Sequence, residues 1–135
     1  MKGSFKLGKI ADIGIFIHWT FSLLILFIVF INYRSGQNAT QILWSVFFVL
    51  SIFITVVMHE LGHALAAKRY NIITKDITLL PIGGIARLEK IPEKPIEELI
   101  VAIAGPLVNI VLAVITGIFI TIPATSEQLM AQLAN

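Results

Sequence analysis

The chain contains no cysteine, which excludes disulfides and thiolate metal sites. It is also poor in charge. Only 13% of its 135 residues are Asp, Glu, Lys or Arg, against 57% that are hydrophobic. A water-soluble domain of this size could not hide so much apolar surface, so soluble globular classes fall away. Three stretches carry no charged residue at all: 13–33, 35–59 and 99–126, of 21, 25 and 28 residues. Each is long enough to cross a bilayer core of about 30 Å at about 1.5 Å per helical residue. The first exceeds the roughly 7 to 15 residues of a signal-peptide core, and no small-x-small cleavage site follows it before Arg34, so it reads as a retained helix. The expected architecture is an all-α multi-pass membrane protein, a single membrane domain with three transmembrane helices at about 13–33, 42–69 and 96–122. Between the second and third lies a segment, about 71–94, that reads as a short cytoplasmic β-hairpin.

No internal repeat or low-complexity run is present, but the basic residues are unevenly placed. Lys2, Lys6 and Lys9 precede the first stretch, and Lys68, Arg69, Lys75, Arg87, Lys90 and Lys94 lie between the second and third. Arg34 alone falls in the opposite loop. The positive-inside rule then puts the N-terminus and the 68–98 segment in the cytoplasm, with the C-terminus outside. The expected location is the cell membrane, and the expected surroundings are the lipid bilayer with no nucleic acid.

Asn71 to Glu98 differs in composition, mixing apolar residues with charges and three of the five prolines. Within it Asp76 to Ile82 is β-prone, Gly83-Gly84 is a turn signal, and Ile85 to Leu88 can return. Pro95, followed by Glu97 and Glu98, suits the first turn of the next helix.

The chemistry concentrates at the end of the second stretch, in His59-Glu60-Leu61-Gly62-His63. Four helical residues turn through about 400°, so His59 and His63 share a face and can offer two imidazole nitrogens to one ion. Glu60 sits one step round, near enough to reach a water beside that ion. A zinc ion there would bring a water's pKa towards 7 and polarise a peptide carbonyl, with Glu60 as general base. Two histidines and a carboxylate near the membrane are costly and mark a functional site; the bland alternative is a polar helix end with His63, Lys68 and Arg69 as interface anchors.

HELGH on an apolar helix, then Leu79-Leu80-Pro81-Ile82-Gly83-Gly84-Ile85-Ala86, then Ala104-Gly105-Pro106-Leu107-Val108-Asn109 on the next, resembles the site-2 proteases, zinc metalloproteases that cut transmembrane substrates within the membrane. The resemblance covers about residues 8–122. It implies zinc held by His59 and His63, Glu60 as catalytic base, and Gly105 and Asn109 close to the active site. Asn109 would there hydrogen-bond a developing oxyanion or the substrate backbone; a small residue and an amide at this spacing also glue membrane helices together. Gly83, Gly84 and Ile85 fall in the segment the family associates with substrate handling, whose exposed edge could accept an unwound substrate strand. The implied substrate is a membrane-embedded protein, such as a membrane-tethered regulator, with room for a regulatory membrane partner.

One departure from the family matters. Site-2 proteases complete the zinc site with an aspartate from an Asp-Gly motif on a later helix, and here the only aspartates are Asp12 and Asp76, neither inside a span. Catalytic zinc normally has three protein ligands, so the expectation is a core truncated before its C-terminal helix or helices. His18 reads as a surrogate ligand or, with Trp19, as an interface anchor; Glu97 and Glu98 are the acids nearest the third span. The alternative function is a three-helix membrane module that binds a substrate or partner without a competent zinc site.

Overall fold

The computed structural model describes residues 2–134. Seven elements follow in chain order: β1 (Ser4–Ile10), β2 (Ile13–His18), α1 (Thr20–Arg34), α2 (Ala39–Arg69), β3 (Thr74–Leu80), β4 (Gly83–Leu88) and α3 (Pro95–Leu133). The strands form one mixed sheet in the order β1-β2-β3-β4. β1 pairs antiparallel with β2, β2 parallel with β3, and β3 antiparallel with β4. α1 and α2 form the crossover that the parallel pair requires.

This overturns the all-α, three-span architecture. The charge-free run 13–33 is two elements, a strand from Ile13 to His18 and a helix of only 15 residues from Thr20. At about 1.5 Å per residue α1 reaches about 22 Å, short of a bilayer core of about 30 Å. α2 and α3 are the two helices long and apolar enough to cross a membrane. Absence of charge reports an apolar environment and not a backbone conformation. β-Branched Ile13, Ile15 and Ile17, at alternate positions, favour a strand, and β2 is buried between two neighbours, with Ile13 and Ile15 almost wholly covered.

The 71–94 segment holds β3 and β4, with the turn two residues earlier than Gly83-Gly84. Leu80 pairs with Gly83, so Pro81 and Ile82 make the turn. Proline supplies the fixed φ of the first turn position, and Gly83, at φ 140°, takes a conformation that side-chain-bearing residues avoid. The hairpin is also half of the larger sheet: residues 4–10, read only as a lysine-bearing lead, form strand β1.

Local signals set the helix ends. Asn38 and Gln41 form a reciprocal capping box at the start of α2, with bonds of 2.9 and 3.0 Å. Its end is a Schellman motif: Asn71 takes φ 59°, its N–H reaches the Lys68 carbonyl, and that of Ile72 reaches Ala67. Pro95 and the acidic pair Glu97 and Glu98 open α3.

One face of the sheet packs on α2. Ile13, Ile15, Ile77 and Ala64 form one buried cluster, and Phe21, Phe53 and Leu79 a second, with Val57 touching both. Phe21 and Phe53 meet edge to face at 4.6 Å between centroids. On its other side α2 packs tightly on α3, because a Cβ at Gly62 would lie 2.7 Å from the Ala104 carbonyl oxygen. The sheet therefore seats the middle of α2, and α2 in turn seats α3. Away from these contacts both long helices present apolar side chains outward, among them Leu43, Phe47, Ile110 and Phe119, as a lipid-facing surface does.

Across β3 and β4, the Arg87 Nε–H donates to Asp76 Oδ1 at 2.8 Å, and Nη2 bonds Oδ2. Asp76 is buried and Arg87 about half exposed. This guanidinium hydrogen bond holds the Asp76 carboxyl below its ordinary value, outweighing the opposing effect of burial. A lowered folded-state pKa stabilises the fold above the ordinary carboxylate range, and that contribution is lost as pH falls through the folded value. Asp76→Asn should therefore lower the Tm by a few degrees at pH 7, and the gap from the wild type should close below about pH 4, in thermal melts of the detergent-solubilised protein.

Candidate metal centre

His59, Glu60 and His63 lie on α2 where it passes β4 at Gly84 and faces α3 at Gly105. The helical spacing brings His59 Nε2 and His63 Nε2 to 3.1 Å from each other, with ring centroids 4.7 Å apart and planes at 80°. Two nitrogens bound to one zinc at about 2.0 to 2.1 Å in tetrahedral geometry stand about 3.3 Å apart. The pair fits a shared ion.

The outer ring nitrogens are held by α3. His63 Nδ1 donates to the Val101 carbonyl at 2.7 Å, the arrangement that leaves Nε2 free for a metal and fixes the ring. His59 Nδ1 lies 3.0 Å from the Asn109 amide, whose Nδ2 faces it. α3 also passes close to the ring tips. A Cβ at position 105 would stand 2.2 Å from His63 Nε2 and 2.8 Å from His59 Nε2, so only glycine leaves the space beside both nitrogens open.

Glu60 faces β4. A Cβ at Gly84 would lie 3.1 Å from Glu60 Cγ and 2.9 Å from Val56 Cγ1, so glycine lets the strand backbone run against the glutamate side chain. β4 is an outermost strand of the sheet, with one edge unpaired beside the site. Gly83 and Ile85 flank Gly84 on that strand. An open groove of about 440 Å³, lined by Ile52, Thr55, Val56, His59 and Asn109, runs from the His59 ring along α2.

The other sequence candidates lie elsewhere. His18 is hydrogen-bonded to Thr20 Oγ1 at 2.7 Å and to the Lys2 carbonyl at 3.1 Å. Asp76 is held by Arg87, and Asp12 occupies the β1–β2 turn at φ 64°. Glu97 and Glu98 stay in the first turn of α3. Among the described residues no group of three His, Cys, Asp or Glu side chains could hold a metal ion. The two imidazoles are thus the ligand set that the described residues bring together. Sequence reasoning missed the Val101 carbonyl, because a main-chain atom has no residue signature, and it missed the steric role of Gly105.

Comparison with known proteins bears on the same residues. The profile of peptidase family M50 matches residues 47–133. A zinc metalloprotease of Methanocaldococcus jannaschii is 45% identical over 115 residues, covering 85% of this chain and 32% of that protein. Stage IV sporulation protein FB of Bacillus subtilis is 42% identical over 63 residues, 46% of this chain and 22% of that one. Among solved structures, the site-2 protease from Methanocaldococcus jannaschii aligns with a TM-score of 0.63 at 40% identity, covering 83% of this chain and 49% of that chain. The chain thus spans about a third of the first of these relatives and about half of the solved one.

Proposed function

Because the chain belongs to peptidase family M50, the membrane-embedded site-2 proteases, we propose that it carries the HExxH half of a zinc peptidase site that hydrolyses peptide bonds of transmembrane proteins. The observation that carries this reading is the pair of Nε2 atoms 3.1 Å apart, with both outer nitrogens engaged by α3. His59 and His63 would hold the ion. A bound zinc would supply a Lewis acid and bring a water's pKa towards 7. Glu60, on the same helix and packed against β4 at Gly84, would take a proton from the attacking water and return it to the leaving amine.

The substrate reading rests on β4. An extended segment adding to its free edge would place its backbone beside Glu60, with Gly83, Gly84 and Ile85 supplying main-chain partners. A transmembrane helix has its backbone bonds satisfied internally, so it must unwind locally to pair this way. The groove along Ile52, Thr55 and Val56 is apolar enough to receive the rest of such a substrate within lipid. Basic residues flank the sheet side of α2 and α3, at Lys68, Arg69, Lys75, Arg87, Lys90 and Lys94; the positive-inside rule makes that side cytoplasmic and the far end of α3 extracytoplasmic.

A second reading, of a membrane module that binds a substrate or partner without a competent metal site, draws on the two-membered ligand set. Chelation separates the two. Cleavage of a single-span substrate reconstituted with the protein should stop when a chelator strips the metal and return on adding zinc. Cleavage that persists in chelator contradicts a metal-dependent mechanism.

A further inference from the structure

The hydrogen bonds of the metal centre have a direction. A carbonyl only accepts, so His63 Nδ1, 2.7 Å from the Val101 oxygen, carries the proton. In the neutral ring Nε2 is then bare, and His59 Nε2, 3.1 Å away, donates to it. That leaves His59 Nδ1 bare, to accept from Asn109 Nδ2 at 3.0 Å. The bonds run one way, from Asn109 through His59 and His63 to Val101. One group is left over: Asn109 Oδ1 is buried and has no partner among the described residues. An orphaned buried acceptor costs free energy and calls for an explanation.

A metal supplies one. An ion taken by both Nε2 atoms leaves no place for the proton between them, so His59 must carry its proton on Nδ1 instead. That N–H needs an acceptor, and Asn109 is the group that stands there. A half-turn of the amide about its Cβ–Cγ bond brings Oδ1 to Nδ1 and pairs the orphan. Resting on the reading of His59 and His63 as metal ligands, we propose that Asn109 is a positioning residue: its amide holds His59 in either tautomer, donating from Nδ2 in the metal-free chain and accepting on Oδ1 in the loaded one. This differs from a direct contact with the substrate or an oxyanion, for which Nδ2–H would have to point into the groove.

Two substitutions of similar size separate these roles. Asn109→Asp keeps an acceptor towards His59 and removes the donor, whereas Asn109→Leu removes both. The positioning role predicts zinc affinity within a few-fold of wild type for Asn109→Asp and about 10- to 100-fold weaker for Asn109→Leu, the usual effect of losing the outer partner of a metal-bound histidine. Wild-type affinity in both, with cleavage lost in both, would overturn it in favour of substrate contact. Nitrogen NMR of the metal-free chain provides a reading that needs no zinc. His59 should hold the Nε2–H tautomer in wild type and gain the Nδ1–H form in Asn109→Asp, whose side chain can only accept from Nδ1; identical tautomer populations would overturn the proposal. If His63→Ala leaves zinc binding untouched, the ligand assignment fails, while the metal-free comparison still decides whether Asn109 holds His59.

Discussion

Glu60→Gln is expected to abolish cleavage while leaving zinc in place. The substitution keeps the size and shape of the side chain, and Glu60 is not one of the two groups whose nitrogens meet at 3.1 Å. It removes the carboxylate that would accept a proton. A positioned general base contributes roughly 10²- to 10⁴-fold, so turnover should fall by at least about two orders of magnitude, with fold and metal content unchanged. Glu60 packs against Gly84 through its Cγ, and glutamine preserves that contact, so the variant isolates proton transfer from packing. Normal cleavage by Glu60→Gln would remove Glu60 from the mechanism; loss of zinc alongside activity would instead make it part of the ligand field.

Gly105→Ala should empty the metal centre. Its new Cβ would fall 2.2 and 2.8 Å from the two Nε2 atoms, closer than non-bonded atoms can stand. Either the rings swing away and the pair is lost, or α3 moves off α2. Tight packing at Gly62, where a Cβ would meet the Ala104 oxygen at 2.7 Å, opposes small adjustments between the helices. Overpacking of this kind costs about 1 to 3 kcal/mol, so a measurable drop in Tm should accompany the loss of zinc. Gly117→Ala, on the same helix with nothing within 4 Å of the new Cβ, is the control. It should keep zinc and lose no stability, since alanine is favoured over glycine in a helix by about 1 kcal/mol. Zinc retained in Gly105→Ala would mean that the ion sits away from α3.

The family and the grouping of the candidate site residues were more legible in the sequence than the architecture, for physical reasons. His59 and His63 stand four residues apart on one helix, so their spacing alone puts the imidazoles on one face. Gly105 and Asn109 were placed beside them by the resemblance to the site-2 proteases, and α3 does bring both against the two imidazoles. Strand β2 was hidden because it lies within an uninterrupted apolar run, where composition distinguishes poorly between a buried strand and a helix. The alternation of Ile13, Ile15 and Ile17 was the available signal. β1 was hidden for the opposite reason, since Lys6 and Lys9 read as a polar lead although the strand is completed by its partner β2. The turn at Pro81-Ile82 was misplaced because two glycines in succession are a stronger local signal than one proline; here Gly83 instead takes a positive φ, and Gly84 lets β4 run against Val56 and Glu60. The parallel pairing of β2 with β3 joins segments about sixty residues apart, and no local pattern carries that information.

The measurement that tests the central claim most directly is zinc stoichiometry of the detergent-purified protein, equilibrated with the ion, beside His63→Ala under the same conditions. A metal shared by His59 and His63 predicts one zinc per chain in the wild type and its loss in the variant. Equal zinc in both, or none in the wild type, would contradict the account.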